Sequence, residues 1–159
     1  MKKSAFIFIT VIFMTLAGCQ NNGDIGRLFG TWALSEYTVN GEKIEELDIS
    51  RELIVPLSHI TFSFQNEVVG IATILDNYNS YDTRFGTWKE DGDTFTFNFT
   101  HYDSTYEPGT GKYQAPPWLG MTSDGPMVMK VSDSKSRSFT LTWNDPRGYV
   151  RVYKLHKTW

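Results

Sequence analysis

The chain has 159 residues, a length suited to one domain. With 40% hydrophobic and 21% charged residues it is neither a disordered polyelectrolyte nor a multi-span membrane protein. Lys plus Arg number 15 and Asp plus Glu 18, for a net charge of −3, and no basic block able to neutralise phosphates is present, so nucleic-acid binding is not expected.

The chain opens with Met1-Lys2-Lys3-Ser4, and residues 5–18 are apolar except for Thr10 and Thr15. That run falls short of the roughly 20 residues a membrane-spanning helix needs. A basic start followed by a short apolar run and small residues reads as a secretory signal peptide. The run ends in Leu16-Ala17-Gly18-Cys19, and Cys19 is the only cysteine, which excludes a disulfide framework. These four residues resemble a bacterial lipobox. The resemblance implies cleavage before Cys19, a diacylglyceryl group on its sulfur and acylation, palmitate included, of the new amino terminus. Two or more acyl chains hold a protein stably on a bilayer, whereas one does so only marginally. The expected organisation is a signal peptide over 1–18, a lipidated tether over 19–27 and one β-domain over 28–159. Residues 20–26 are polar and glycine-rich, as a tether requires. Gln20 is not Asp, which by analogy with Gram-negative sorting rules implies the outer membrane, on its periplasmic face or at the cell surface.

Beyond the tether, period-two alternation of β-branched and aromatic residues dominates. It predicts eight strands, over 29–39, 58–64, 68–78, 81–89, 93–102, 127–131, 138–143 and 149–156. Phe62 and Phe64 share one strand face, as do Phe95, Phe97 and Phe99. Turn chemistry separates most of these runs, at Gln65-Asn66-Glu67, Asn79-Ser80, Asp91-Gly92 and Asp145-Pro146-Arg147-Gly148. Short strands joined in sequence imply an all-β antiparallel meander. Eight of them suit a closed up-and-down barrel, with an open β-sandwich as the alternative.

Two stretches interrupt the meander. Residues 40–57 contain Glu42-Lys43-Ile44-Glu45-Glu46-Leu47, read as a single helical segment beside a barrel mouth. Residues 103–126 form a long loop with Pro108, Pro116 and Pro117 that carries Tyr106, Tyr113 and Trp118. Loops of this length in a compact domain are commonly functional. These three aromatics are the candidate ligand- or partner-binding residues, as a plug, a lid or an exposed platform.

The first strand opens Leu28-Phe29-Gly30-Thr31-Trp32, and the pattern returns at Phe85-Gly86-Thr87-Trp88, followed by Asp91-Gly92-Asp93-Thr94-Phe95. Gly-x-Trp at the start of a barrel, repeated before a Gly-Asp hairpin, resembles the lipocalin-like, calycin-type lipoproteins of Gram-negative bacteria. The likeness spans about residues 28–156. It implies an eight-stranded lipocalin-like barrel closed at one end by Gly30 and Trp32, with a basic residue of the last strand, Arg151 (or Arg147 beside it), over the indole. The Thr-Asp-Tyr motif of that family is absent, and 133–137 reads Asp-Ser-Lys-Ser-Arg.

No residues point to catalysis. The three histidines, His59, His101 and His156, lack partners at metal-ligand spacing, so neither a metal nor another cofactor is expected. Gly-x-Ser-x-Gly, Gly-x-Gly-x-x-Gly and phosphate-binding Gly-Lys-Ser/Thr are absent. Asp91-Gly92-Asp93 reads as a hairpin turn, and Glu45-Glu46 as a solvated face. The expectation is therefore a non-enzymatic lipoprotein, held at the membrane by Cys19, whose barrel binds a small apolar or amphipathic ligand. Two alternatives stay open: a filled barrel serving as an inhibitor or as a module for an envelope protein partner, and a carbohydrate-binding surface module.

Overall fold

The computed structural model describes residues 28–50, 53–76, 80–104, 114–121 and 125–158. Cys19, the residues around it, Tyr106 and Tyr113 lie outside that set. The described strands are β1 (Gly30–Val39), β2 (Glu42–Ile44), β3 (Glu46–Ser50), β4 (Leu53–Pro56), β5 (Ile60–Gln65), β6 (Val68–Asp76), β7 (Ser80–Asp91), β8 (Thr94–Ser104), β9 (Met127–Lys135), β10 (Ser138–Asn144) and β11 (Val150–Lys157). β1 and β5–β11 pair in chain order, all antiparallel, and β11 returns to β1 to close the ring. The expected eight-stranded up-and-down barrel is the observed one, and the open sandwich is excluded by the β1–β11 ladder from Trp32–Lys157 to Val39–Arg151.

The helix expected within 42–47 does not form; β2 and β3 take its place. Asn40 and Gly41 both have positive φ, 52° and 84°, and turn the chain tightly from β1 into β2. An Asn-Gly pair is a strong hairpin signal, whereas six residues are too few for a helix that must stand alone. β5 pairs with β1 over Gly30–Ala33, and β2 takes over the same edge at Tyr37–Val39. β3 and β4 form a separate hairpin whose Leu47 and Val55 join the core.

The two ends of the barrel differ in chemistry. The lower end, where Trp32 faces Lys157 in the ladder, is filled with rings. Trp32 meets Phe139 edge-on at 4.7 Å, Phe64 meets Trp88 at 5.0 Å, and Trp88 meets Phe95 at 5.1 Å. Phe62, Phe64, Phe95, Phe97 and Phe99 all point inward and are fully buried. Edge-on ring pairs each add about 0.5–1.5 kcal/mol beyond their buried area. Gly86 exists here for steric reasons. β8 carries one extra residue opposite the Phe85–Gly86 step, and a Cβ on Gly86 would overlap the Asn98 carbonyl and the Phe99 backbone.

The cation over Trp32 is Lys157, with Nζ 5.4 Å from the ring centroid. Arg151, expected in that role, lies at the opposite end of β11 beside Val39, and Arg147 sits in the turn beyond it. The reason is register. Lys157 and Arg151 are six residues apart on one strand, so they sit at opposite ends of the barrel. Gly30 allows the lysine in: its φ of 120° suits glycine, and a Cβ there would stand 3.3 Å from Lys157 Cε.

Candidate functional site

Polar chemistry gathers in the upper half of the barrel. In the ladders Phe62 faces Ile71, Ile71 faces Arg84 and Arg84 faces Tyr102. These residues share one face, so Arg84 points inward in line with Phe62. Its guanidinium is buried and forms a bidentate pair with Asp82, with Nε 2.6 Å from Oδ1 and Nη2 2.7 Å from Oδ2. The remaining Nη1 donates to Gln114 Oε1 at 2.7 Å, and the group lies 4.6 Å over the Tyr102 ring. The Thr73 hydroxyl, opposite Asp82 in the β6–β7 ladder, is 0% exposed and has no hydrogen-bond partner.

A second cluster lies where β1, β10 and β11 reach the same end. The Asp145 carboxylate is fully buried and accepts from Arg147 and from Arg151 Nε, the latter at 3.1 Å. Arg151 Nη1 donates to the Tyr37 hydroxyl at 2.5 Å. Tyr37 and Tyr153 are both buried and stacked. The Arg147 hydrogen bond, reinforced by Arg151, holds the Asp145 carboxyl well below the usual carboxylate range against the opposing effect of burial. Burial pushes both tyrosine hydroxyls up, so they remain protonated donors at neutral pH.

These donors close on the end of the long loop. Pro117–Leu119 makes one 3-10 turn and packs against β3. Tyr37 and Tyr153 donate to the Leu119 carbonyl at 2.8 and 3.0 Å, and Arg147 Nη2 donates to the Gly120 carbonyl at 2.6 Å. Gly120 is left-handed, with φ 72°, and a Cβ on it would run into the Arg151 guanidinium. Ala115, Trp118, Leu119 and Met121 all belong to the core. Residues 114–121 therefore stop the mouth of the barrel from above.

Of the three loop aromatics singled out in the sequence, Trp118 is buried in this stopper, not displayed as a platform, and its indole N–H has no partner. Tyr106 and Tyr113 lie outside the described residues. Gly30 and Trp32 stand together at the lower end, and Arg151 stands apart from them in the upper cluster. Asp82, Arg84, Tyr37, Tyr153 and Asp145 were not singled out from the sequence. Parity carries a signal for several of them. Asp82 and Arg84 share the phase of Gly86 and Trp88, and Arg151 and Tyr153 share the phase of Leu155. Among the described residues no group of three or more His, Cys, Asp or Glu is placed to hold a metal ion.

No family model and no curated protein matches the chain. Solved structures do. A lipocalin-like protein from Bacteroides uniformis superposes with a TM-score of 0.54 at 17% identity, over 83% of this chain and 99% of that one. An uncharacterized protein from Bacteroides eggerthii superposes with a TM-score of 0.54 at 16% identity, over 82% and 98%. The likeness is one of fold: the architecture is a lipocalin-like barrel.

Proposed function

With the lipocalin-like barrel as premise, we propose that this chain is a lipid-anchored binding protein of the bacterial envelope. It takes a small apolar or amphipathic molecule into the upper half of its barrel and catalyses no reaction. The observation that carries the reading is the inward-facing polar set, Arg84, Asp82 and the unpartnered Thr73 hydroxyl. A barrel closed for stability alone gains nothing from these groups. Well-packed apolar residues in place of a buried ion pair are often neutral or more stable. Eight-stranded barrels of this class can hold one small ligand. The anchor is the Leu16-Ala17-Gly18-Cys19 segment, whose resemblance to a lipobox implies acylation of Cys19, and Gln20 after it, not being Asp, favours the outer membrane.

Two experiments test this reading. The ring of strands lies entirely within residues 28–158, so a chain starting at Gln20 retains it. Titrating that chain with an environment-sensitive apolar dye is expected to give saturable one-to-one binding and a rise in melting temperature. A folded domain that binds no dye would sink the ligand reading. In cells, Cys19→Ser is expected to abolish palmitate labelling and release the protein from the membrane fraction.

A second reading, a protein-interaction module with a filled barrel, is favoured by the ring-packed lower half and the seated 114–121 segment. It predicts dye exclusion and a protein partner in envelope extract. Carbohydrate stacking on Trp118 has no support, since the indole is buried.

A further inference from the structure

The lower end of the barrel divides into two halves of opposite charge. On one side lie the β5–β6 and β7–β8 turns, with Glu67, Glu90, Asp91 and Asp93. On the other, the β9–β10 turn meets the end of β11. The Lys157 N–H donates to the Arg137 carbonyl at 2.9 Å, and Arg137 Nη2 donates to the Lys157 carbonyl at 3.4 Å. Lys135 stands beside them, opposite Ser138 across the turn, with Asp133 in the same surface hollow. Lys135 and Arg137 are exposed and Lys157 is half-buried. The chain enters the barrel on this basic side, since β1 pairs with β11 and a Cβ on Gly30 would already touch the Lys157 side chain. Just before Gly30, the Leu28 carbonyl accepts from the Trp32 indole, and the Phe29 side chain is 38% exposed. An exposed aromatic ring beside Lys and Arg is the composition of surfaces that lie on lipid.

We infer that this basic half of the lower end, Lys135, Arg137 and Lys157 with Phe29 beside them, docks on an anionic phospholipid surface. The inference rests on the lipid-anchor part of the reading above and adds the face that the anchored domain turns to the membrane. Tether length argues for this end. Residues 19–27 span at most about 30 Å when fully extended, and a flexible chain of that length spans about 15–18 Å on average. Ten-residue β1, tilted as barrel strands are, makes the barrel about 25 Å tall. Turning the upper end to the bilayer would therefore stretch the tether almost fully. Charge argues for the same end. At the upper end the segment from β2 to β3 carries Glu42, Glu45, Glu46 and Asp48 around Lys43, and Arg147 is paired with Asp145. Each basic side chain close to an anionic surface strengthens attachment about fivefold, so three give about a hundredfold. The attraction fades within a Debye length, and the tether supplies the closeness it needs.

The test uses the chain beginning at Cys19, whose thiol is the only one in the sequence. That thiol is coupled to maleimide-bearing lipid in vesicles of phosphatidylcholine, alone or mixed with phosphatidylglycerol. Acetic anhydride then labels the lysines, and mass spectrometry reads each one. On the anionic vesicles labelling of Lys135 and Lys157 is expected to fall at least about threefold, while Lys43, at the upper end, is unchanged. Raised ionic strength should restore the labelling. In the Lys135→Glu/Arg137→Glu variant Lys157 should label alike on both kinds of vesicle, and Phe29→Ala should bring it part of the way there. Equal labelling of Lys135 and Lys157 on the two kinds of vesicle would overturn the docking face. So would equal protection of Lys43, or protection that survives raised ionic strength or the double substitution. Should the double variant fail to fold, the salt series on the unaltered chain decides. The coupling replaces the acyl anchor, so the two readings fail separately: a Cys19→Ser protein that stays in the membrane fraction sinks the anchor, and the vesicle labelling alone decides the face.

Discussion

Tyr37 and Tyr153 lie with their rings 5.0 Å apart and only 6° from parallel, and both hydroxyls donate to one oxygen, the carbonyl of Leu119. Facing each other across the β1–β11 seam, they join the strands that close the barrel and hold the segment that stops it. Loss of either hydroxyl leaves the carbonyl one donor, and loss of both leaves a buried acceptor bare. Tyr153→Phe is expected to cost about 0.5–1.5 kcal/mol. Tyr37→Phe should cost more, because its oxygen also receives Arg151 Nη1. The double variant should exceed the sum of the two. Chemical denaturation of the four proteins checks this, and strict additivity would mean that the carbonyl finds another donor.

Asp145 makes stability depend on pH at the acid end. Its folded carboxyl titrates below its ordinary value of 3.8, held down by Arg147 and Arg151. As pH falls below about 4 the unfolded chain takes up this proton first, which favours unfolding. The contribution is therefore complete above that range and is lost as pH drops towards the folded value. Asp145→Asn should flatten this acid slope. At neutral pH it should also destabilise by about 3–5 kcal/mol, since the buried Arg151 loses its counter-charge. An unchanged acid slope in thermal melts from pH 2.5 to 6 would show that other carboxylates set it.

Gly86→Ala should be among the most damaging single-atom additions to this chain. The new methyl meets backbone on β8, and backbone cannot rotate away as a side chain can. Overpacking of this kind costs about 1–3 kcal/mol, and displaced ladder bonds add to it. Gly92→Ala, with open space around it but a positive φ of 59° that Gly86 does not have, is the control that separates the steric effect from the conformational one. Equal melting temperatures for the two variants would remove the close approach as the cause.

At the lower end, Trp32→Ala should lower stability by about 3–5 kcal/mol. It removes a buried ring that packs on Phe139 and whose N–H reaches the Leu28 carbonyl at 2.7 Å. Lys157→Ala should cost about 1 kcal/mol or less, the range of a partly exposed cation over a ring. Urea midpoints rank the two. A larger loss for Lys157 would mean that the cation, not the ring, closes this end.

Thr73→Val should raise the unfolding midpoint, because it replaces a buried hydroxyl that has no partner with a methyl of the same shape. A lowered midpoint would reveal a bound water or ligand satisfying that hydroxyl in solution.

The strands were legible because their signal is local. Alternation at Phe95, Phe97 and Phe99 or at Ile60, Phe62 and Phe64 needs no partner to be read, and the eight expected runs differ from the observed strands mainly at their ends. The misreading over 42–47 had a local remedy as well, since Asn40-Gly41 marks a hairpin whatever follows it. The lower ring cluster was half legible. Gly30 and Trp32 were recognised, but which basic side chain lies over the indole depends on where β11 ends against β1.

Sequence by itself determined the class of fold, the order of the eight barrel strands and the Gly-x-Trp pairs, because these depend on periodicity and turn chemistry within a dozen residues. Only the tertiary structure decided what fills the upper half of the barrel. Tyr37, Arg84, Leu119, Asp145 and Tyr153 lie far apart in the chain, and nothing local sets one beside another. Closing the β1–β11 seam brings Tyr37 to Tyr153, and the register of β6 to β8 turns Arg84 inward. The stopper then settles on donors that pairing alone had placed, since a buried hydroxyl or guanidinium must find an acceptor wherever the fold leaves it.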